Sequence, residues 1–321
     1  MLYFKLPFTE SLYTFEGPSS SEYLNFASFE GEETVKFKGQ LKVCTEKQLL
    51  ESEVFASELE QPPSLEVQSR EDYEDKLRAS LGVIKEKKLE KLVLSRRKVV
   101  PFKKLSLTRS FLNLTRRYPE AFCYVFTHES GAWIGAFSEL LGSYDLRTGE
   151  FKTMSVAGTL TLDKDWGEKE LEEQAAVTRF IEKTLSLYAR EIEKSSTYSH
   201  PSGEIKHLRT DFTCQLPKDS LQPLIKALHP TPAVLGMPKD VCLKALKELE
   251  PHPRELYAGY SHLRLGNCLY FYVNLRCARL FKSEAHLFVG GGITAKSDIE
   301  TEFQETELKA LAVLNQLALE L

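Results

Sequence analysis

Apolar residues change period several times along this chain, and each change marks an element. Residues 1 to about 50 alternate apolar or aromatic positions with turn formers, as in Tyr13-Thr14-Phe15 before Gly17-Pro18, and predict short strands. The Glu- and Ser-rich stretch 51–70, with Pro62-Pro63, reads as a linker or exposed crossing. Ser69 then suits a helix N-cap, with Asp72 completing a capping box, and Tyr73, Leu77, Leu81 and Ile84 recur at helical spacing. A strand at 91–95, a helix at 107–117 and strands at 121–127, 132–137 and 151–156 follow, the first two of these joined by Glu129-Ser130-Gly131. Leu171, Val177, Ile181, Leu185, Tyr188 and Ile192 predict one long helix over 166–194. Beyond a Ser195 to Gly203 loop come short helices at 220–227 and 239–249, three strands between 268 and 290, and a last helix from about Ile299. Strands that read as hairpins, with helices set apart, predict an α+β layered fold without internal repeats.

Composition narrows the function more than the fold. The 321 residues are 42% hydrophobic and 27% charged, which is globular, and the net charge of -4 offers nucleic acid no basic footprint. A small-molecule partner is the better expectation. Six cysteines show no C-x-x-C pair and seven histidines no zinc-finger or H-E-x-x-H spacing, so reduced thiols and no structural zinc are expected. The N-terminus forms no apolar signal region before an acidic residue, and no run of eighteen apolar residues follows. A cytoplasmic protein without membrane partners is the expectation.

Candidate chemistry concentrates near the C-terminus. Gly290-Gly291-Gly292 reads as a tight turn whose amides could cradle a carboxylate, since no Cβ blocks close approach. The helix after it carries Glu302, Glu305 and Lys309 on one face. An ordinary solvated helix with a Glu305–Lys309 ion pair would show the same letters. Glu170 and Glu173 repeat the i, i+3 spacing on another predicted helix, so two carboxylate pairs could converge on one hard cation; an acidic first turn answering the helix dipole fits equally. Glu139 lies between Phe137 and Leu140-Leu141, where a buried acid would be costly without a purpose.

The segment LHPTPAVLGMP at 228–238 resembles the chorismate-utilising enzymes, and isochorismate synthases in particular. The likeness continues in order through KLVLSR (91–96), WIGAFSELL (133–141), VAGT (156–159), EKELEEQ (168–174), HLRTDF (207–212), RELYAG (254–259), VNLRCA (273–278), GGGI (290–293) and ETEFQETELK (300–309). It covers residues 70–321. Residues 1–69 are divergent strands and linker of the same fold. The resemblance implies two mainly antiparallel sheets packed face to face with helices outside, four layers in all, and a site in the cleft between them.

The implied reaction is the reversible, Mg²⁺-dependent conversion of chorismate to isochorismate. Water adds at C2 while the C4 hydroxyl leaves, which calls for a base on one side of the ring and an acid on the other. By resemblance Lys91 is the base and Glu139 the acid, whose pKa burial should raise. Glu173 and Glu305 are implied as direct metal ligands, with Glu170 and Glu302 acting through water. Arg276, Lys309 and the amides of Gly291 and Gly292 would hold a substrate carboxylate. Gly158 and Thr159 would allow close approach, Tyr257 would offer a hydroxyl, and His229 would contact the ring or cap a turn. Gln174 departs from the histidine of many relatives.

Salicylate synthase, which uses the same lysine and glutamate and then eliminates pyruvate, is the alternative reading. Lys91 and Ala157 disfavour the two ammonia-using siblings, so no glutaminase subunit is expected, and the Leu49-Leu50-Glu51-Ser52 match to an inhibitor motif is treated as chance. Menaquinone biosynthesis is the expected pathway, with a siderophore pathway as the alternative. The expected state is a monomer or weak dimer.

Overall fold

Phe122, Tyr124 and Phe126 turn to one hydrophobic core while Cys123 and Val125, alternating with them, turn to another. That period of two is what a sheet buried on both faces requires. A computed structural model describes residues 1–18, 21–64, 68–202 and 205–320. One nine-stranded sheet runs in the spatial order Gly236–Met237, Lys91–Pro101, Glu284–Ile293, Cys277–Leu280, Gly131–Phe137, Phe122–His128, Leu2–Lys5, Leu12–Glu16, Gln40–Cys44. The other runs Arg190–Lys194, Ile205–Gln215, Glu150–Thr161, Leu140–Asp145, Cys268–Val273, Tyr260–Leu265, Tyr23–Ala27, Glu33–Lys38, with Tyr198–Ser202 also pairing to Ile205–Gln215. Pairing is antiparallel throughout the described residues, as in Gly292↔Val93 and Ala157↔Leu208.

Aromatic inner faces of both sheets, including Phe26, Phe122, Phe151 and Phe271, share the larger core. Helix Leu107–Arg117 and the end of helix Ile299–Leu314 close the smaller core against the first sheet, through Phe111, Leu114, Ala310 and Val313. Helices Glu168–Leu185 and Leu221–Leu228 pack on the second sheet. The expected α+β four-layer arrangement is present, and the N-terminal strands contribute edge strands to both sheets.

Local signals held where caps were written into the sequence. In helix Arg70–Lys87, Ser69 Oγ accepts the Asp72 amide at 3.1 Å and Asp72 accepts the Ser69 amide at 2.9 Å. The long predicted helix is shorter than its stripe suggested: it ends at Leu185, Leu187 is 72% exposed, and Arg190–Lys194 is a strand. The expected 195–203 loop contains strand Tyr198–Ser202; Gly203 lies outside the described residues, as does 65–67 of the linker. Strands Ile205–Gln215 and Tyr260–Leu265 were not predicted, although Leu208, Thr210, Phe212 and Cys214 alternate inward. Residues Glu46–Glu51 form a short capped helix where strands were expected, because the Thr45/Gln48 capping box outweighs the local alternation. Among the described residues no helix is long and apolar enough to cross a membrane.

Candidate functional site

Two chain crossings between the sheets lie side by side. Ser138 and Glu139 join strand Gly131–Phe137 of the first sheet to Leu140–Asp145 of the second, and Asn274–Arg276 return from Cys268–Val273 to Cys277–Leu280. The Val273 amide donates to the Glu139 carbonyl at 3.0 Å and the Ala136 amide to the Arg276 carbonyl at 3.2 Å. Buried Asn274 braces the second crossing: its Oδ1 accepts from Tyr124 Oη at 3.0 Å and its Nδ2 donates to the Leu256 carbonyl at 2.9 Å. Arg276 has φ +43°, a left-handed backbone that residues with a Cβ adopt only when their surroundings fix it. Glu139 and Arg276 both line a cavity of about 140 Å³. Glu139 is therefore in a crossing, not within a strand.

Lys91, Gly158, Thr159, Tyr257 and Lys309 line the same cavity, as do Glu170, Glu173 and Glu305. Lys91 opens its strand with its side chain 9% exposed and is ion-paired to Glu173. Burial pushes the Glu173 carboxyl up, but the ammonium groups of Lys91, Lys309 and Lys169 outweigh it and hold the pKa below the ordinary range. Among the described residues Glu139 forms no ion pair. Burial drives its pKa up to about 7, against a smaller downward pull from Lys91.

The three glycines form part of strand Glu284–Ile293, not the predicted turn. Its pairing to Cys277–Leu280 stops at Cys277↔Phe288, and the cavity borders the strand beyond that point. A Cβ on Gly292 would lie 2.9 Å from Lys91 Nζ, so glycine leaves room for that side chain. Gly290 presents its carbonyl to Lys309 Nζ at 2.9 Å. Gly291 does not line the cavity; a Cβ there would face Glu302 at 3.3 Å, so its expected role at the substrate is not supported. Gly158, with φ +71°, sits at a bulge in strand Glu150–Thr161, which brings the backbone close to Glu170.

His229 does not join the site. It lines a different cavity, is buried, and has Nε2 at 2.9 Å from the Phe29 carbonyl; burial lowers its pKa to about 4. The HPTPA segment divides between the two cavities: His229 and Pro230 line the second, while Ala233, followed by Val234, lines the first.

Each expected metal ligand already has a partner. Glu305 meets Lys309 at 2.6 Å, Glu302 accepts from Ser297 Oγ at 2.6 Å and Lys169 Nζ at 3.2 Å, and Glu170 accepts the Gly167 amide at 3.0 Å. Among the described residues no three His, Cys, Asp or Glu side chains converge closely enough to hold a metal ion. The donor types nevertheless suit a hard dication. Glu302, 1% exposed, keeps a buried Oε2 without a hydrogen-bond partner among the described residues, and burial followed by repulsion from Glu305 raises its pKa. That oxygen faces the Gly291 position and Glu302 does not line the cavity, so of the four expected ligands only Glu170, Glu173 and Glu305 border it.

Sequence reasoning passed over two residues here. His207, in the HLRTDF segment, lines the cavity; its Nδ1 stands 2.9 Å from the Gly158 carbonyl and its Nε2 3.3 Å from Arg276 Nη2. A carbonyl only accepts, so Nδ1 carries the proton and Nε2 offers a lone pair to Arg276. Burial, then the Arg276 charge, lowers its pKa to about 3 and keeps the ring neutral. Recognising the alternation of 205–215 would have assigned its face. Lys169, hidden among glutamates, links helix Glu168–Leu185 to Glu302 of helix Ile299–Leu314. Gln174, expected as a departure from the family, is buried, with Nε2 donating to Ser155 Oγ at 2.9 Å, and so serves strand packing.

A family profile described as chorismate binding enzyme matches residues 14–318. Isochorismate synthase EntC of Escherichia coli K12 is 31% identical over 211 residues, 60% of this chain and 52% of EntC. Isochorismate synthase MenF of Bacillus subtilis is 26% identical over 264 residues, 77% of this chain and 56% of MenF. The chain thus spans about half the length of the curated relatives it matches. Among solved structures, menaquinone-specific isochorismate synthase MenF from E. coli superposes with TM-score 0.80 at 18% identity, covering 98% of this chain and 88% of that one. Anthranilate synthase component I from Streptococcus pneumoniae gives 0.74 at 18% identity, covering 94% and 82%. At such identities these two similarities speak for the fold.

Proposed function

The chain belongs to the chorismate-binding enzyme family, and from that premise we propose that it is an isochorismate synthase. The observation that carries the reading is the half-buried Glu139, whose carboxyl desolvation pushes up to about 7, facing the same small cavity as a lysine. An acid tuned near neutral pH can donate a proton that an ordinary glutamate would already have lost. In the proposed reaction the water oxygen bonds to C2, the two ring double bonds shift, and the C4–O bond breaks. Lys91 takes the proton from the attacking water and Glu139 gives one to the departing hydroxide, so the ring gains and loses one hydroxyl. Lys91, an ammonium while paired with Glu173, must leave that pair and release its proton to solvent before its amine can accept one from the attacking water. Arg276, steadied by neutral His207, and Lys309 bind substrate carboxylate; Tyr257 presents a hydroxyl to the same cavity. Mg²⁺ held by Glu173 and Glu305, with Glu170 and Glu302 through water, would neutralise the other carboxylate.

The test is incubation with chorismate and Mg²⁺ in the absence of ammonia. An equilibrium mixture of chorismate and isochorismate is expected. Salicylate with stoichiometric pyruvate would move the assignment to salicylate synthase, and unchanged chorismate would refute both. For the pathway, the reading is menaquinone supply, with a siderophore pathway as the alternative; the relatives include a menaquinone-specific and a vibriobactin-specific isochorismate synthase. Rescue of a menaquinone-requiring strain lacking its own isochorismate synthases, compared with rescue of siderophore production, separates the two.

A further inference from the structure

A second cavity, of about 1190 Å³, lies between helices Leu221–Leu228 and Lys239–Leu249 and the loop at 29–32. Its walls are apolar and rich in rings: Phe29, Ile225, Leu243, Leu246 and Tyr260 line it, with the His229 imidazole edge-on to Tyr260 at 4.9 Å. Four exposed charges stand at its rim, Glu30 and Glu32 against Lys226 and Lys247, and they cancel. Further in, the half-buried Lys239 donates to the His229 carbonyl. Among the described residues no carboxylate lies within salt-bridge distance of Lys239, and burial pushes its pKa down. An ammonium inside an apolar wall without a counter-ion is an anchor for one anionic group.

The floor of this cavity reaches the first one. Arg254 and Glu250 form a buried ion pair at 2.6 Å, with the guanidinium over the Phe29 ring at 4.4 Å. Arg254 also donates at 2.7 Å to the carbonyls of Val93 and Val234, while Glu250 accepts the Ser95 amide at 2.7 Å. Val93 and Val234 line the first cavity. Beside the pair, His252 is 8% exposed and its Nε2 has no hydrogen-bond partner among the described residues.

We propose that the second cavity is a regulatory site for a small aromatic monocarboxylate, anchored by Lys239 and sensed in the first cavity through Arg254. The Phe29, His229 and Tyr260 rings select a flat apolar body, and the half-buried Lys239, with no carboxylate in salt-bridge distance among the described residues, selects a single negative charge. A ligand pressing on Phe29 bears directly on Arg254, whose remaining bonds set the backbone of Val93 and Val234. The inference does not depend on which reaction the first cavity performs.

Calorimetric titration with trans-cinnamate, and with cinnamamide as its neutral counterpart, tests the site. Cinnamate should bind saturably, with cinnamamide weaker by at least about tenfold. Lys239→Gln should bring cinnamate down to the cinnamamide level. Leu243→Trp should block both ligands while leaving the circular dichroism spectrum unchanged. Equal affinity for the two ligands, no binding of either, or cinnamate binding unaffected by Lys239→Gln would overturn the proposal. So would binding that survives Leu243→Trp but is lost in Arg276→Lys, since that places the ligand in the first cavity. For the coupling, bound cinnamate should slow hydrogen exchange at 92–95 and 233–236; unchanged exchange there with cinnamate bound would refute it.

Discussion

Replacing Glu139 by glutamine should produce a stability difference that depends on pH in one direction only. The carboxyl ordinarily titrates at 4.5, and in the folded protein it titrates at about 7. Below pH 4.5 the group is protonated in folded and unfolded chains alike, and the two proteins should be nearly equal. Between pH 4.5 and about 7 the unfolded chain releases its proton while the folded one retains it, so the parent protein loses stability as pH rises. Above about 7 the loss is complete. The interval is about 2.5 pH units, each equivalent to about 1.4 kcal/mol, so glutamine should be favoured by about 3 kcal/mol at pH 8. Denaturant unfolding of both proteins from pH 4 to 8 measures the difference. The same variant, lacking a donor for the departing oxygen, should lose about 10²- to 10⁴-fold in kcat. A stability difference constant over this range would refute the raised pKa, and with it the physical basis for Glu139 as the acid.

Four other substitutions or treatments probe the rest of the cavity. Lys91→Ala should lower kcat by about 10²- to 10⁴-fold with a smaller change in KM, and unaltered kcat would reassign the base. Arg276→Lys keeps the charge but loses the planar fork, so kcat/KM should fall roughly 10- to 150-fold, mostly through KM, while the melting temperature stays put; a parental KM would remove Arg276 from substrate binding. Gly292→Ala places a methyl where the Lys91 side chain lies, so kcat should drop at least about tenfold without loss of fold, and full activity would show that Lys91 tolerates displacement. EDTA should abolish turnover and leave the circular dichroism spectrum unchanged, with activity restored by Mg²⁺; full turnover in chelator would sink the metal assignment.

The letters of the chain carried the layered fold and most of the first cavity, because the catalytic candidates lie in segments whose order resembles a family. They misled where tertiary contacts overrode local preference. A triple glycine favours a turn, yet here the neighbouring Leu94 carbonyl, Tyr257 hydroxyl and Lys91 side chain crowd the places of the missing Cβ atoms, and the segment is held as a strand. Tyr188 and Ile192 continued the helical stripe in sequence, yet they reach the same core from the turn after Leu185 and from strand Arg190–Lys194, not from a helix. The pairing of Lys91 with Glu173 was out of reach, because the family resemblance assigned one to base chemistry and the other to metal with no measure of the distance between them. His229 stood inside the most recognisable motif and turned out to brace a different cavity.

The two crossings that carry Glu139 and Arg276 make this cavity a record of assembly. Neither residue belongs to the body of a sheet; each holds its place only when both sheets are formed and docked against each other. A collapsed chain with its strands paired but the sheets unregistered would keep its secondary structure and present no site at all. Recovery of ligand binding during refolding should therefore lag behind recovery of β-structure, and the lag would time the meeting of the two sheets.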